Sequence, residues 1–376
     1  MGGLFPAERQ RPIDCRHGPA YNGPRCSEDF GLSLRVVNLE TLHMAQELAA
    51  AAPAAVPAAA EPVELRRDVT IWGSYTWGYA DVGADIYVAL GLVIGAAQGG
   101  APLAFALAGL VYIMIGLAFT ELASAYPVAG GGHYYSLRGL GDFWGFTAGA
   151  ALLLDYTIDI ALFATASTGY MNFFLPYLGI RLEQFAVTLG PFQNVNLLWL
   201  GETVVMITFL RWLNVRGIRE SSKVNEIIGL VDLLLEMSIV VFGFVLAWKP
   251  ELLVHQWQTQ FPTARQFLYG FSLAIISFVG LESISQAAQE TRRPATVIPR
   301  TSIALIFTVF ILALGFSTVG LGILPWQDFR AHEADPIAYL ASHIPYLGII
   351  AGPFAAFLGA TIPFISSNTG VMGDSR

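Results

Sequence analysis

Long uncharged apolar runs, separated by short polar stretches, make up most of the chain from about residue 71 onward. A helix that crosses a bilayer needs about 20 mainly apolar residues, and several runs exceed that length. The pattern therefore predicts an all-α polytopic membrane protein. We predict eight spanning helices, segments 1 to 8, at about 71–97, 102–125, 143–174, 195–213, 224–248, 266–288, 301–324 and 346–372.

The composition supports the membrane class. Apolar residues make up 55% of the 376 residues and charged residues only 13%, whereas a soluble protein of this size needs a more charged surface. The net charge of −8 gives no indication of nucleic acid as a partner. The two cysteines, Cys15 and Cys26, lie outside the apolar region and are too few to predict a disulfide framework or a zinc site.

Residues 1–64 differ from the rest of the chain. They contain several arginines and prolines and an alanine–proline tract at 49–60, a composition that buries little surface and predicts a disordered arm. An alternative is that the reading frame is annotated too early and that Met44 is the true start. Residues 65–376 form the predicted transmembrane domain.

The distribution of basic residues predicts the orientation. With the amino terminus in the cytoplasm, the inner connections between segments hold ten lysines and arginines and the outer connections hold four. Positive residues accumulate on the cytoplasmic side of membrane proteins. We therefore expect a cytoplasmic amino terminus in a plasma or inner cell membrane.

Segment 1 carries two carboxylates and several glycines near its centre, including Asp81, Gly83 and Asp85. A central aspartate costs roughly 2.5–3.5 kcal/mol on insertion scales, and glycine loosens a helix by about 1 kcal/mol relative to alanine. An interruption that faces a binding cavity would explain both. The alternative is that Gly83 permits close helix packing while the two aspartates pair or reach the interface.

Segment 6 contains a second concentration of small and polar residues, namely Ser277, Gly280, Glu282 and Ser283. Segment 6 is the fifth segment after segment 1, which carries the first concentration. Interruptions at matching positions are typical of transporters built from an inverted repeat.

Five motifs together carry a resemblance to a known family. They are 82–87 in segment 1, 121–131 after segment 2, 213–224 between segments 4 and 5, 278–282 in segment 6 and 290–300 after it. The chain from about residue 68 resembles the amino acid–polyamine–organocation permeases, which have a LeuT-type fold. The resemblance implies an inverted repeat whose first half, segments 1–5, is complete. The second half, segments 6–8, would be unfinished, as in a fragment or a truncated reading frame.

The resemblance also implies a substrate site at the two interruptions. Backbone N–H groups of an opened segment 1 would bind a carboxylate, and carbonyls of segment 6 would bind an amino group. Glu282 is either a clamp on loose backbone or a substrate contact. The implied residues are Val82, Gly83, Ala84, Asp85, Ile86, Phe278, Val279, Gly280 and Glu282.

Two positions depart from the family pattern. Asp85 stands where a second glycine is usual and would favour a cationic substrate, hold a proton or face a cation. Asp232 stands where many proton-coupled members have lysine, and would bind sodium, carry a proton, or be a buried, paired acid. Ser366 and Ser367 are either hydroxyl ligands of a sodium site or bonded back to their own helix.

Other acids are weaker candidates. Asp155 and Asp159 are four residues apart and share a helix face, where they pair in the core or line a vestibule. We expect Glu226 and Glu236 near opposite ends of segment 5, exposed to solvent.

These observations predict a secondary transporter of amino acids that works by alternating access. It would be coupled to H⁺ or Na⁺, or exchange substrates, and need no other cofactor. Alternatives are a carrier of cationic amines or polyamines and a non-transporting fragment or membrane scaffold. A membrane enzyme is disfavoured because His133, His332 and His343 lack metal-ligand spacing and neither lysine follows a glycine as in a phosphate loop. The predicted partners are a small amino acid or amine and the lipid bilayer, and the oligomeric state stays open.

Overall fold

The computed structural model describes residues 69–126, 128, 130–189, 192–215, 222–280, 284 and 291–374. The predicted arm 1–64 and Glu282 lie outside these residues. Twelve α-helices occur in the described ranges. They are α1 Ile71–Ala97, α2 Ala101–Ala125, α3 Gly131–Leu140, α4 Asp142–Met171, α5 Leu197–Val215, α6 Ser222–Phe242, α7 Pro250–Thr259, α8 Ala264–Ile276, α9 Pro294–Ile323, α10 Trp326–Ala331, α11 Pro336–Ser342 and α12 Gly348–Asp374.

The all-α membrane class is confirmed. Six helical stretches of the described chain are long and apolar enough to cross a membrane, and the first, Ile71–Ala125, joins α1 and α2 through the short turn Gln98–Gly100. The eight predicted segments correspond to α1, α2, α4, α5, α6, α8, α9 and α12. The bounds of α1 and α2 agree with the prediction within a residue, whereas α8 ends at Ile276 rather than near 288 and α9 begins at Pro294 rather than near 301.

Stretches that we expected to be loops contain further short structure. Helices α3, α7, α10 and α11 lie in such connections. Strands β1 (Ala186–Leu189) and β2 (Phe192–Asn196) form an antiparallel hairpin between α4 and α5, with Val187 opposite Val195. These elements are too short and too polar for the hydrophobic pattern to reveal.

Local signals set several helix starts. The Thr70 hydroxyl accepts a hydrogen bond from the Gly73 N–H at 3.1 Å and caps α1. Thr263 and Gln266 form a capping box at the start of α8. Proline occupies the first turn of α2, α7, α9 and α11, where its missing N–H has no helical partner to lose.

Helix α1 is at the centre of the core, and most of its side chains from Tyr79 to Ala97 are buried. Glycines permit close approach of its neighbours. A Cβ at Gly78 would lie 2.9 Å or less from Ile284 and Leu305 side-chain atoms, and one at Gly91 would lie 3.1 Å from the Glu333 Cα. Elsewhere α4 packs on α12, where a Cβ at Gly359 would come within 2.5 Å of the Tyr170 ring.

The predicted interruption of segment 1 is wrong for this structure. Helix α1 runs without a break from Ile71 to Ala97. Both aspartates and Gly83 therefore lie within continuous helix. The predicted interruption of segment 6 is found, because α8 ends at Ile276 and Gly280 has a φ of +104°.

Candidate functional site

The break that follows α8 lies directly against the middle of α1. A Cβ at Gly280 would come within 3.0 Å of both Asp81 Oδ2 and Val82 Cγ2. Its left-handed φ of +104° also disfavours any other residue. The two stretches that the sequence singled out therefore meet, although only one of them is interrupted.

Three successive backbone hydrogen bonds of the 3-10 type close the carboxyl end of α8. The N–H groups of Ser277, Phe278 and Val279 donate to the carbonyls three residues before them, at 3.1–3.3 Å. These bonds occupy the carbonyls of Ala274, Ile275 and Ile276, the last residues of the helix, which lie at the negative end of its dipole. This end therefore suits a positively charged group.

The break is enclosed by apolar and aromatic side chains. Phe278 is buried, and its ring stacks on Tyr112 with centroids 5.1 Å apart. A Cβ at Gly109 would lie 3.1 Å from the same phenylalanine. A small organic molecule bound here would be held away from bulk water.

The predicted residues of segment 1 lie where α1 contacts the break after α8, a contact that we call the crossing. They lie within unbroken helix. Val82, Ala84, Asp85 and Ile86 are buried. Because they lie inside a continuous helix, their N–H groups are used within the helix. The free N–H groups that we expected around Gly83 are absent from this described conformation, so no carboxylate pocket is formed by α1.

Gly83 has a different role in the structure. A Cβ added at Gly83 would lie 3.2 Å from the Tyr79 ring. The absence of a side chain therefore leaves room for that ring to extend along α1. The Tyr79 hydroxyl then donates a hydrogen bond to Glu236 on α6.

A matching contact joins α1 to α6 through Tyr87. Its hydroxyl donates to Asp232 Oδ1 at 2.5 Å. Asp232 and Glu236 are both fully buried. The expectation that Glu236 is solvated near a helix end is therefore wrong. Its spacing of four from Asp232 predicts that the two acids share one face of α6, but it does not indicate which helix that face contacts.

Ser366 and Ser367 bridge helices. The Ser366 hydroxyl donates to the Ala80 carbonyl of α1 at 2.8 Å, and the Ser367 hydroxyl donates to the Ile160 carbonyl of α4 at 3.1 Å. Neither of these bonds runs back along their own helix. The pair thus lies at the junction of α12, α1 and α4, and its sodium-ligand role stays a prediction.

Tyr170 of α4 connects this region to the segment between α9 and α12. Its hydroxyl donates to the Tyr87 carbonyl at 3.1 Å and accepts from the Ile337 N–H of α11 at 3.3 Å. Its ring packs edge-on against that of Tyr87, with centroids 5.3 Å apart. One side chain therefore ties α1, α4 and α11 together.

The α10–α11 segment carries ionisable groups with altered proton affinity. Burial raises the pKa of Asp335 to about 6, which the neighbouring His332 opposes. Desolvation also raises the pKa of Glu333, against the effect of Arg330. Within the described ranges, no three histidine, cysteine, aspartate or glutamate side chains converge as a metal group would.

Comparison with known proteins gives a consistent family assignment. A sequence profile described as amino acid permease matches residues 73–376. The chain is 28% identical to the branched-chain amino acid permease BcaP of Bacillus subtilis over 291 residues, which is 75% of this chain and 60% of that protein. It is 25% identical to the methylthioribose transporter of the same species over 69% of this chain and 55% of that protein.

A smaller share of a mammalian relative is matched. The chain is 27% identical to cationic amino acid transporter 4 of Mus musculus over 69% of this chain and 40% of that protein. The chain thus spans 40–60% of the length of these three relatives. Their names denote permeases and transporters, not enzymes.

The profile match covers most of the chain, from the first turn of α1 through α12, and includes every residue of the crossing described above. The chain belongs to the amino acid permease family.

Proposed function

We propose that the chain carries a small amino acid or amine across a membrane by alternating access. The observation that supports this most is the buried contact between the broken end of α8 at Gly280 and the middle of α1 at Asp81 and Val82. Relatives named for branched-chain and cationic amino acids are in keeping with a substrate that has an amino group.

The amino group would bind at the carboxyl end of α8. The negative end of the helix dipole favours a cation there. The carboxylate of an amino acid would need N–H groups that α1 provides only if it opens near Gly83. Substrate binding would thus be coupled to a change in α1, as alternating access requires.

Movement of α1 between access states would have to break contacts at one of its two ends. At its start, the Arg292 N–H donates to the Val69 carbonyl at 3.0 Å. Near its other end, Glu333 packs on Gly91 and Gly95. We propose that one of these two contacts is released in each access state, and that transport is coupled to H⁺ or Na⁺ or proceeds by exchange.

Substitution of Gly280 tests the site. We expect Gly280→Ala to lower uptake of radiolabelled leucine, lysine or an amine into proteoliposomes at least tenfold, because a Cβ would contact Asp81 and Val82 and the φ is unfavourable. Gly201→Ala is the matched control, since a Cβ there meets nothing within 4 Å.

The set of substrates separates the alternatives. Uptake of lysine or a polyamine without leucine would support the cationic carrier, with Asp85→Gly expected to reverse the preference. If the purified protein is folded and binds labelled substrate but accumulates none, the transport proposal is wrong and a binding or scaffold role is favoured.

A further inference from the structure

Two tyrosine–carboxylate pairs lie side by side between α1 and α6. The Tyr79 hydroxyl donates to Glu236, and the Tyr87 hydroxyl donates to Asp232 Oδ1 at 2.5 Å. All four side chains have 0% of their surface exposed. Asp232 and Glu236 are four residues apart on α6 and therefore occupy the same helix face.

Each carboxylate has one oxygen that these bonds do not use. Asp232 Oδ2 and Glu236 Oε1 are buried and have no hydrogen-bond partner among the described residues. A buried carboxylate oxygen without a donor is costly. An oxygen in that position indicates that a ligand or a proton belongs there.

Basic residues that could neutralise two negative charges are missing from α1 and from the part of α6 around the pair. Helix α1 contains no lysine, arginine or histidine, and α6 contains one, Lys223 in its first turn, nine residues before Asp232. Burial disfavours the charged form of each acid, and two acids on one face also repel each other when both are ionised. The pair is therefore expected to retain at least one proton.

The other ionisable groups packed around the pair are tyrosines. Tyr75 stacks on Tyr79 with ring centroids 6.2 Å apart, and Tyr170 packs against Tyr87. The nearest acids along the helices are Asp81, two residues after Tyr79, Asp85, two residues before Tyr87, and Glu226 in the second turn of α6.

We propose that Asp232 and Glu236 form a proton-binding pair whose proton affinity is set by Tyr87 and Tyr79, and that this pair couples transport to the proton gradient. The inference rests on the proposed transport function. A proton fits better than a metal cation, because hard cations take about six oxygen ligands and the pair has two unused oxygens.

The tyrosines link the proton to the motion of α1. Both hydroxyls belong to α1 and both acceptors belong to α6. If α1 opens near Gly83, the two hydrogen bonds lengthen and the carboxylates lose donors that stabilise their charged form. The acid pair then takes up a proton from water on the open side, and it releases that proton when the bonds form again.

Proton movement in proteoliposomes is the first measurement. With a pH-sensitive dye inside, substrate addition should acidify the lumen of vesicles that contain the wild-type protein. We expect Glu236→Gln and Asp232→Asn each to reduce proton-driven accumulation at least tenfold while exchange of labelled for unlabelled substrate is retained. Glu251→Gln, at an exposed position on α7, should behave as the wild type.

The pH dependence of uptake by Tyr79→Phe distinguishes a role in proton binding from a purely structural role. It removes the donor and keeps the ring, so the pH midpoint of uptake should shift upward while exchange remains. If both carboxamide variants still move protons as the wild type does, or if wild-type uptake follows Na⁺ and ignores pH, the inference is overturned.

A second measurement does not depend on transport. Infrared spectroscopy of the purified protein in deuterated buffer should show the carbonyl stretch of a protonated carboxyl group at neutral pH, and Glu236→Gln or Asp232→Asn should remove or shift it. An unchanged band in folded samples of both variants refutes the proton pair. Loss of uptake and exchange in every sample, with the infrared result as expected, refutes only the proposed transport function.

Discussion

Gly83 shows how one residue type can serve a different purpose from the one its sequence context indicates. In the structure it makes room for the ring of Tyr79, whose hydroxyl reaches Glu236. A glycine in a helix loses about 1 kcal/mol relative to alanine. The hydrogen bond to a buried carboxylate, worth about 1.5–3 kcal/mol, offsets that loss.

We predict that Gly83→Ala destabilises the protein by about 1–2 kcal/mol, because overpacking a core costs about 1–3 kcal/mol and exceeds the gain in helix propensity. The thermal midpoint of the detergent-solubilised protein measures the effect. In a Tyr79→Phe background the same substitution should cost less, since no hydroxyl remains to be displaced. Equal costs in both backgrounds would contradict the assigned role.

Gly280 differs from Gly83 in that its conformation and its space both require glycine. The sequence indicated this residue correctly. A glycine followed by further small and polar residues in an apolar segment is a local signal, and the break that it produces is also local. The corresponding signal at Gly83 failed because the outcome there depends on Tyr79 and on α6.

At the scale of elements, the short helices between the long apolar helices are structural parts of the fold. On α7, the buried Gln256 donates through Nε2 to the Leu321 and Leu324 carbonyls at 2.7 and 3.1 Å. Its Oε1 accepts from the Trp326 N–H at 2.8 Å. One side chain thus joins α7 to the end of α9 and the start of α10.

The α10–α11 segment packs on the later part of α1. Glu333 lies over Gly91 and Gly95, and the N–H of Ile337 donates to Tyr170. Asp335 begins α11, and burial raises its pKa to about 6. The folded segment therefore binds a proton more tightly than the unfolded chain does.

The sign of the pH effect follows from this raised pKa. Between about pH 4 and pH 6 the native state holds more protons than the unfolded state, so stability falls as pH rises through that window and stays lower above it. Asp335→Asn removes the charge. We expect it to raise the thermal midpoint by a few degrees at pH 7.5, on the order of 1–2 kcal/mol, and to change it little near pH 4.

Thermal melts of the wild type and Asp335→Asn from pH 4 to pH 8 measure this effect. Glu251→Gln, at the exposed start of α7, controls for the loss of one negative charge. A gain at pH 7.5 that is equal in the two variants, or that persists unchanged to pH 4, would show that burial of Asp335 is not the cause.

At the scale of the whole molecule, the orientation in the membrane decides which face receives substrate. The excess of lysine and arginine in one set of connections favours a cytoplasmic amino terminus, and we propose that orientation in a plasma or inner cell membrane. The two natural cysteines, Cys15 and Cys26, both lie in the amino-terminal arm and provide a direct probe.

A membrane-impermeant maleimide should leave these cysteines unlabelled in intact cells and label them after permeabilisation. A Cys15→Ser, Cys26→Ser variant that carries Arg330→Cys, at an exposed position on α10, should be labelled in intact cells. The opposite pattern for the two proteins would place the amino terminus outside.

The amino-acid sequence by itself determined the membrane class, the position of eight apolar segments and the break at Gly280. Each of these depends on properties local to the chain, such as the apolar length that a bilayer requires and the backbone freedom of glycine. Helix ends such as those of α1 and α2 agree with the prediction within a residue for the same reason.

Only the tertiary structure decided that α1 stays continuous, that Glu236 is buried and that Ser366 and Ser367 bridge to other helices. Each outcome depends on which helix faces meet, and residues as far apart as Tyr79 and Glu236, or Ala80 and Ser366, carry no local signal of their contact. The physical reason is that packing and hydrogen bonding between helices, rather than the preference of either helix alone, set the free energy of these groups in a low-dielectric interior.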